Sequence, residues 1–247
     1  MRIGILADIH GNLEALTEAV KLLKEEKPDK IIFLGDVVGY GANPNECCDI
    51  VREIADVSLI GNHDAACCGR LDPKWFVDHA RIAIEWCMKV ITRENLDWLK
   101  GLGYTYRIDD ITFSHGSPID VENFDYLVDI TRAVSVFEWM DQNKSRVHFV
   151  GHAHLFLSFV LEGSPEPNVN ITTSPSLNLA GSGKFAINVG SVGQPRDGDP
   201  RSCYAIIDTV SQLYYAKRIE YDVETASRKI LDAELPTILS RRLFLGR

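Results

Sequence analysis

The spacing of apolar and polar residues predicts a strand, a helix and a second strand at the start of the chain. Arg2–Ala7 and Lys30–Leu34 are short apolar runs of the kind found in buried strands. Between them, apolar residues recur at helical spacing after Asn12, a favourable N-cap residue, and Pro28 ends the pattern. A right-handed crossover through such a helix joins parallel strands, so the chain opens as an α/β protein.

The rest of the chain continues this alternation and then turns to antiparallel strands. Further helices are predicted after Asn43-Pro44 and Asp72-Pro73 and over Glu94–Leu99, Thr131–Met140 and Glu224–Ala233. Further strands are predicted at Val57–Ile60, Tyr104–Arg107, Ile111–Ser114, Arg146–Val150, Leu155–Leu161, Ala186–Val189, Cys203–Ile207 and Leu213–Ile219. Early parallel units followed by antiparallel strands predict two packed sheets with helices outside them.

Two stretches have a less direct interpretation. Trp75, His79, Ile82 and Trp86 recur at helical spacing, and such a stripe is more typical of a core-facing surface than of a cofactor site. Gly163–Gly183 is rich in Ser, Pro, Asn and Gly and has no clear period, which predicts a long surface loop. This loop is either a mobile lid or a hairpin with a long tip.

Composition places limits on the class of protein. The chain has 247 residues, 45% of them hydrophobic, and no linker or repeat, so we expect a single domain over residues 1–247. The formal net charge of -9 disfavours a broad face for long nucleic acid. The first apolar run stops at Asp8, and no run reaches membrane-spanning length, so we expect a cytoplasmic protein without a targeting segment. The 6 cysteines show no Cys-x-x-Cys spacing, which predicts reduced, mostly buried thiols.

Potential metal ligands follow the predicted strands at the points where the strands end, which is where α/β proteins place ligands. They are Asp8, His10, Asp36, Asn62, His63, His115, His152 and His154. Carboxylate, amide and imidazole groups suit borderline divalent metals such as manganese, iron, zinc, cobalt or nickel. Because the set is too large for one structural zinc, it predicts a two-metal centre.

In order along the chain, these residues form short motifs that together resemble the calcineurin-like metallophosphoesterase superfamily. The motifs are Asp8-x-His10, Gly35-Asp36, Gly61-Asn62-His63-Asp64, His115-Gly116 and Gly151-His152-x-His154. The resemblance implies the fold of that family, a four-layer αββα sandwich of two mixed β-sheets flanked by helices. It also implies a phosphoesterase that uses two divalent metal ions, with Mn²⁺ the leading candidate and iron, nickel, cobalt or zinc as alternatives.

The same resemblance assigns roles to individual residues. One metal would be held by Asp8, His10 and His154, the other by Asn62, His115 and His152, with Asp36 and a hydroxide bridging both. The hydroxide would attack a small phosphodiester or phosphomonoester in line. His63 would contact the phosphoryl oxygens or protonate the leaving oxygen, and Asp64 would orient the His63 imidazole.

Three further residues are candidate substrate contacts. Asn12 is either a contact or only a turn and helix cap, the role of Tyr40 is open, and Arg196 is either a phosphate contact or a solvated loop residue. The protein phosphatases of the superfamily carry arginines after the bridging aspartate and before the Gly-Asn-His motif, and this chain has Gly39-Tyr40-Gly41 instead. The chain therefore resembles the small bacterial and archaeal phosphodiesterases, including diadenosine-polyphosphatase-like members.

Several alternatives stay open at this point. The substrate is a small phosphoester of undetermined class, and a dinucleoside polyphosphate is one candidate. A non-catalytic binding module of the same fold, like the retromer subunit of this architecture, is a second reading of the metal motifs. Exposed strand edges and the Gly163–Gly183 loop would also support a homo-oligomer.

Overall fold

The computed structural model describes residues 1–163 and 168–247. The strands are β1 (Arg2–Leu6), β2 (Lys30–Phe33), β3 (Val57–Ser58), β4 (Thr105–Ile108), β5 (Ile111–Ser114), β6 (Val147–Val150), β7 (Phe156–Glu162), β8 (Asn168–Thr172), β9 (Ser176–Asn178), β10 (Lys184–Val189), β11 (Ser202–Asp208) and β12 (Leu213–Ile219). The helices are α1 (Leu13–Glu25), α2 (Pro44–Ile54), α3 (Asn62–Cys67), α4 (Asp78–Val90), α5 (Arg93–Gly101), α6 (Ile130–Gln142), α7 (Val223–Asp232) and α8 (Thr237–Leu245). Short 3₁₀ turns lie at Pro73–Trp75 and Val121–Asn123.

The strands form two sheets of mixed direction. The first sheet has the order β3-β2-β1-β11-β12-β9, and the second has the order β4-β5-β6-β10-β7-β8. In the first sheet β1, β2 and β3 run parallel, as the predicted crossover requires, whereas β11 pairs antiparallel with β1. In the second sheet β5, β6 and β10 are parallel, and β4 and β7 pair antiparallel with their neighbours.

The largest interior surface lies between the two sheets. Ile3 and Ile5 of β1 pack there against Phe113 and Phe149 of the second sheet. Because alternate strand residues face opposite sides, Leu6 packs on the other face of the first sheet, against α1 and α2. Helix α6 covers the outer face of the second sheet. The predicted four-layer αββα sandwich is thus confirmed.

The helical stripe is predicted to face the core, and that prediction is wrong for Trp75 and Ile82, whereas Trp86 packs against the core. The Trp75 side chain is 84% exposed and Ile82 is 42% exposed. The buried face of α4 carries Ala80, Ala83, Ile84 and Cys87. Helix α4 packs against α3 and the 3₁₀ turn at Pro73–Trp75, and the three small residues of its buried face allow that close approach.

The predicted loop over 163–183 contains two strands in its described part. Strand β8 pairs antiparallel with β7, so the hairpin alternative is correct there, and β9 pairs with β12 in the other sheet. Residues 164–167 lie outside the described residues. None of the described residues of this segment lines the cavity at the candidate site.

Other details bear on the remaining predictions. Helices α3 and α8 are not predicted from the sequence pattern. Helix α3 has only 6 residues, which are polar or small and therefore show no apolar period. All of the cysteines are free and buried, as predicted. Over residues 1–163 and 168–247, no helix combines the length and the apolar character needed to span a bilayer.

Candidate metal centre

The predicted ligands come together where strands of both sheets end. Asp8 and His10 follow β1, Asp36 follows β2, His115 follows β5 and His152 follows β6. All of these side chains are buried. The carboxyl ends of the two sheets therefore meet at one polar site inside an otherwise apolar sandwich.

The backbone at this site is strained. Residues with positive φ include Asp8 (55°), His10 (50°), Asp36 (61°), His152 (64°) and His154 (58°). A residue other than glycine costs roughly 1–2 kcal/mol in this left-handed conformation, and such strain clusters at functional sites. The positive φ values turn these side chains toward the site, whereas a continued extended backbone would direct successive side chains to opposite faces of the sheet.

Two groups of donor atoms contain expected ligands alone, and a third combination joins His10 and Asp36 to His63. Asp8, His10 and His154 place one ligand atom each within 4.8 Å of one another. Asp36, His115 and His152 form a second such group. Asn62 adds its Oδ1 atom 3.2 Å from His115 Nε2. The first group contains the residues expected at one metal, and the second joins Asp36, the expected bridge, to His115 and His152.

Asp36 lies between the two groups. Its Oδ1 atom accepts the backbone N–H of His63 at 2.8 Å. Its Oδ2 atom is 3.6 Å from His10 Nε2 in the first group and 3.3 Å from His115 Nε2 in the second. One oxygen is thus anchored to the backbone, while the other faces both groups.

Two imidazoles of the first group face each other through their Nε2 atoms, an arrangement that a bound cation would stabilise. His10 Nε2 and His154 Nε2 are 3.0 Å apart. The Nδ1 atoms of these rings lie against the carbonyl oxygens of Val38 and Gln194, which require both Nδ1 atoms to be protonated. Burial lowers the pKa of both imidazoles well below the ordinary value, which keeps them neutral. The Nε2 lone pairs therefore converge, and a divalent metal fits this donor set.

The second group carries charge of its own. Burial alone would lower the pKa of His115, but the Asp36 carboxylate raises it to about 9. Burial in turn opposes ionisation of Asp36, yet the neighbouring His115 and His63 hold the pKa of Asp36 below its usual range. In the first group, burial raises the pKa of Asp8 to about 7. Protons and metal ions would compete for these groups.

Asp64 has a different role from the predicted one. Its carboxylate accepts the backbone N–H groups of Asp36 at 2.7 Å, Val37 at 3.0 Å and Gly61 at 3.1 Å. His63 Nδ1 is buried and has no hydrogen-bond partner among the described residues. Asp64 therefore organises the loop that carries Asp36, and the prediction that it orients the His63 imidazole is corrected.

His63 is held by packing instead of a carboxylate. Its ring meets Tyr40 and Phe76 edge to face, with centroids 4.5 Å and 5.1 Å away. A Cβ atom on Gly39, where φ is +117°, would lie 2.5 Å from His63 Nδ1, so only glycine fits there. Burial lowers the pKa of His63 to about 4, which leaves the imidazole neutral near pH 7.

A cavity of about 580 Å³ opens on the centre and tests the predicted substrate contacts. Tyr40 and Arg196 line it together with Asp36 and His63, and Arg196 donates from Nη2 to the Tyr40 hydroxyl at 3.2 Å. Asn12 does not line this cavity. It caps α1 through Oδ1 and donates to the Gly193 carbonyl at 2.8 Å, so the cap alternative describes its role.

The cavity also contains residues that sequence reasoning missed. Phe124 and Tyr126 lie in a loop without periodicity, Phe76 belongs to no predicted motif or stripe, and Trp75 belongs to the stripe predicted to face the core. The one available signal was position, because Trp75 and Phe76 follow the Gly-Asn-His-Asp motif by about one helical segment. His148, which matched no motif, is buried and bonded to Thr112 and Ser114 at 2.8 Å and 3.1 Å, away from the ligands.

Comparison with known proteins decides the family. The sequence profile of the calcineurin-like phosphoesterases matches residues 1–177, which include every predicted metal ligand. The chain belongs to the calcineurin-like phosphoesterase family. Its members are metal-dependent phosphoesterases, in agreement with the two donor groups.

Individual relatives of this calcineurin-like phosphoesterase extend over its full length. An uncharacterized protein of Methanocaldococcus jannaschii is 39% identical over 249 residues, covering 99% of this chain and 98% of the relative. The crystal structure of a metallophosphoesterase from Sphaerobacter thermophilus is 35% identical, with a TM-score of 0.85 and full coverage of both chains. A hypothetical protein from Pyrococcus horikoshii shares the fold at 19% identity, with a TM-score of 0.78 over 100% of this chain and 98% of its own.

Proposed function

We propose that this protein hydrolyses a small phosphodiester or phosphomonoester at a two-metal centre. One ion would be held by Asp8, His10 and His154, the other by Asn62, His115 and His152, and Asp36 would bridge them. The proposal rests above all on the facing lone pairs of His10 and His154, whose Nε2 atoms are 3.0 Å apart. Mn²⁺ is the first ion to test, because imidazole, amide and carboxylate donors suit it as well as nickel, cobalt, iron or zinc.

Bound divalent ions would make water nucleophilic near neutral pH and neutralise phosphoryl oxygens, which supports an in-line displacement. The chain itself supplies the remaining groups. His63 would donate a hydrogen bond to a phosphoryl or leaving oxygen, since its ring is buried beside Asp36 and no carboxylate holds it among the described residues. Arg196 and Tyr40 would contact the phosphate from the cavity wall.

The size of the cavity and the net charge of the chain favour a small substrate. Its volume of about 580 Å³ suits a nucleotide-sized ester and leaves a dinucleoside polyphosphate as the alternative substrate class. The net charge of -9 disfavours long nucleic acid. Six buried free thiols favour a reducing, cytoplasmic location. A single domain over the whole chain and a homo-oligomer are also part of the proposal.

The test is a panel of metals against substrates. Metal-free protein would be reconstituted with manganese, nickel, cobalt or zinc and assayed on monoester, diester and dinucleotide substrates. We expect hydrolysis with at least one ion, and a His63→Gln variant that keeps its bound metal but loses roughly 100-fold in turnover. Absence of turnover with every ion would favour the non-catalytic binding module, and full turnover by His63→Gln would remove His63 from the reaction.

A further inference from the structure

The cavity beside the metal centre is larger than a phosphate group requires. Its volume is about 580 Å³, within the range of about 300–1,000 Å³ typical of sites for small organic ligands. Asp36, Asn62 and His63 line the part that belongs to the centre. The rest of the cavity must therefore accommodate the organic part of the substrate.

That remaining wall is rich in aromatic side chains. Trp75, Phe76, Phe124 and Tyr126 all line the cavity. The Tyr126 ring stacks on His152 with centroids 3.9 Å apart, and the Phe76 ring meets His63 edge to face at 5.1 Å. The aromatic wall thus begins at residues that touch the centre and continues away from it.

Trp75 is exposed in a way that core packing does not explain. Its side chain is 84% exposed, although it lines a cavity. The turn that carries it is well defined, because Pro73 fixes one φ angle and the Asp72 carboxylate accepts the Lys74 N–H at 3.0 Å. Val77 and Tyr126, which are 62% and 44% exposed, line the same cavity, so the indole belongs to an exposed apolar patch, and such patches mark contact surfaces for ligands.

The charges around this wall narrow the chemistry of that ligand. Glu122 and Asp125 line the same cavity, and Arg196 is the basic residue among its described lining residues, histidines aside. Carboxylates repel a polyanion but accept hydrogen bonds from ring N–H or amino groups. The wall therefore favours an uncharged, planar group over a second phosphate.

We propose that the organic group of the substrate is an aromatic or heteroaromatic ring that stacks on Trp75, which makes Trp75 a residue that determines specificity. The inference rests on the proposed function, since it assumes that the phosphate of the same molecule binds at the metal centre. Aromatic stacking selects a flat ring over a puckered ring of equal size, because only the flat ring offers its face to the indole.

Two non-hydrolysable inhibitors isolate this effect. Phenylphosphonate and cyclohexylphosphonate carry the same head group and rings of similar size, and differ in planarity. Their inhibition constants would be measured against hydrolysis of bis(p-nitrophenyl) phosphate by the manganese-loaded protein. We expect phenylphosphonate to bind about fivefold more tightly, which is a typical advantage for an aromatic pair beyond buried area.

Matched variants locate the preference. Trp75→Phe should keep most of it, and Trp75→Leu, which stays apolar but has no ring, should abolish it. Phe244→Leu removes an exposed ring from α8 that does not line the cavity, and it should leave the preference unchanged. Phenylphosphonate should also change the tryptophan fluorescence of the wild type, and Trp75→Phe should lose that change.

Each other outcome overturns the inference. Equal inhibition by the two phosphonates in the wild type, or a preference that survives Trp75→Leu, would remove Trp75 from ligand binding. A Trp75→Leu variant that becomes monomeric while its preference is unchanged would show that a second copy of the chain covers the indole. If the ester is not hydrolysed with any ion, the proposed function fails; if it is hydrolysed and the phosphonates do not differ, only this inference fails.

Discussion

Asp64→Asn separates the observed role of this carboxylate from the role that its motif predicts. Oδ2 of Asp64 accepts the N–H groups of Asp36 at 2.7 Å and Gly61 at 3.1 Å. Oδ1 accepts those of Val37 at 3.0 Å and Val38 at 3.2 Å. The Asn side chain carries an NH₂ group in place of one of these oxygens. In either orientation two of the four hydrogen bonds are lost, and the two backbone N–H groups that made them face the NH₂ group, which is itself a donor.

The cost follows from the number of bonds. A hydrogen bond to a charged group contributes about 1.5–3 kcal/mol, so loss of two should lower the free energy of unfolding by about 3–6 kcal/mol. Because this loop carries Asp36, we also expect the variant to bind less metal. Urea unfolding at pH 8 is the appropriate assay, since burial raises the pKa of Asp64 to about 7 and the carboxylate must be ionised. Metal content would be measured by mass spectrometry on the same samples.

Asp129→Asn provides the control. The Asp129 carboxylate caps α6 by accepting the Arg132 N–H at 2.9 Å at an exposed position. Since Asn caps helices as well as Asp does, this variant should unfold within about 0.5 kcal/mol of the wild type. The reasoning is refuted if Asp64→Asn is equally stable and retains its metal but loses turnover, because Asp64 would then act on the His63 imidazole.

Two further predictions concern Gly39 and His148. Gly39→Ala would place Cβ 2.5 Å from His63 Nδ1 and should lower kcat at least roughly tenfold. Gly198→Ala is the control, because Gly198 also has a positive φ but no atom lies within 4 Å of its added Cβ, and it should lose only about 1 kcal/mol of stability. Equal kcat values for the two variants would contradict the packing argument. Burial lowers the pKa of His148 to about 3. Below pH 6.5 the unfolded state therefore takes up a proton that the folded state does not, and the free energy of unfolding should fall by up to about 1.4 kcal/mol per pH unit as the pH decreases toward 4.5. His148→Gln, followed by urea unfolding from pH 7.5 to 4.5, should show a shallower fall, and parallel curves would exclude His148 as the source.

The sequence places most of the candidate metal ligands at strand ends, because each of these follows a short apolar run. Asp8 and Asp36 come directly after β1 and β2, and parallel strands joined by one crossover must end at the same edge of a sheet. His115 and His152 follow strands of the other sheet in the same way. Local pattern and connection rules were sufficient to predict two packed sheets and a cluster of potential metal ligands at the strand ends, whereas the roles of single residues and the family were implied by the resemblance of the ordered motifs to known proteins.

Contacts between segments distant in sequence decided the roles of several side chains that local pattern cannot predict. Asp64 bonds to backbone groups 26 to 28 residues away, and its role depends on where they lie in space. Asn12 donates its amide N–H to the Gly193 carbonyl, and Trp75 lines the cavity from the turn that precedes α4. Periodicity shows that a helix has an apolar side, but only tertiary packing selects which residues the neighbouring elements leave room to bury.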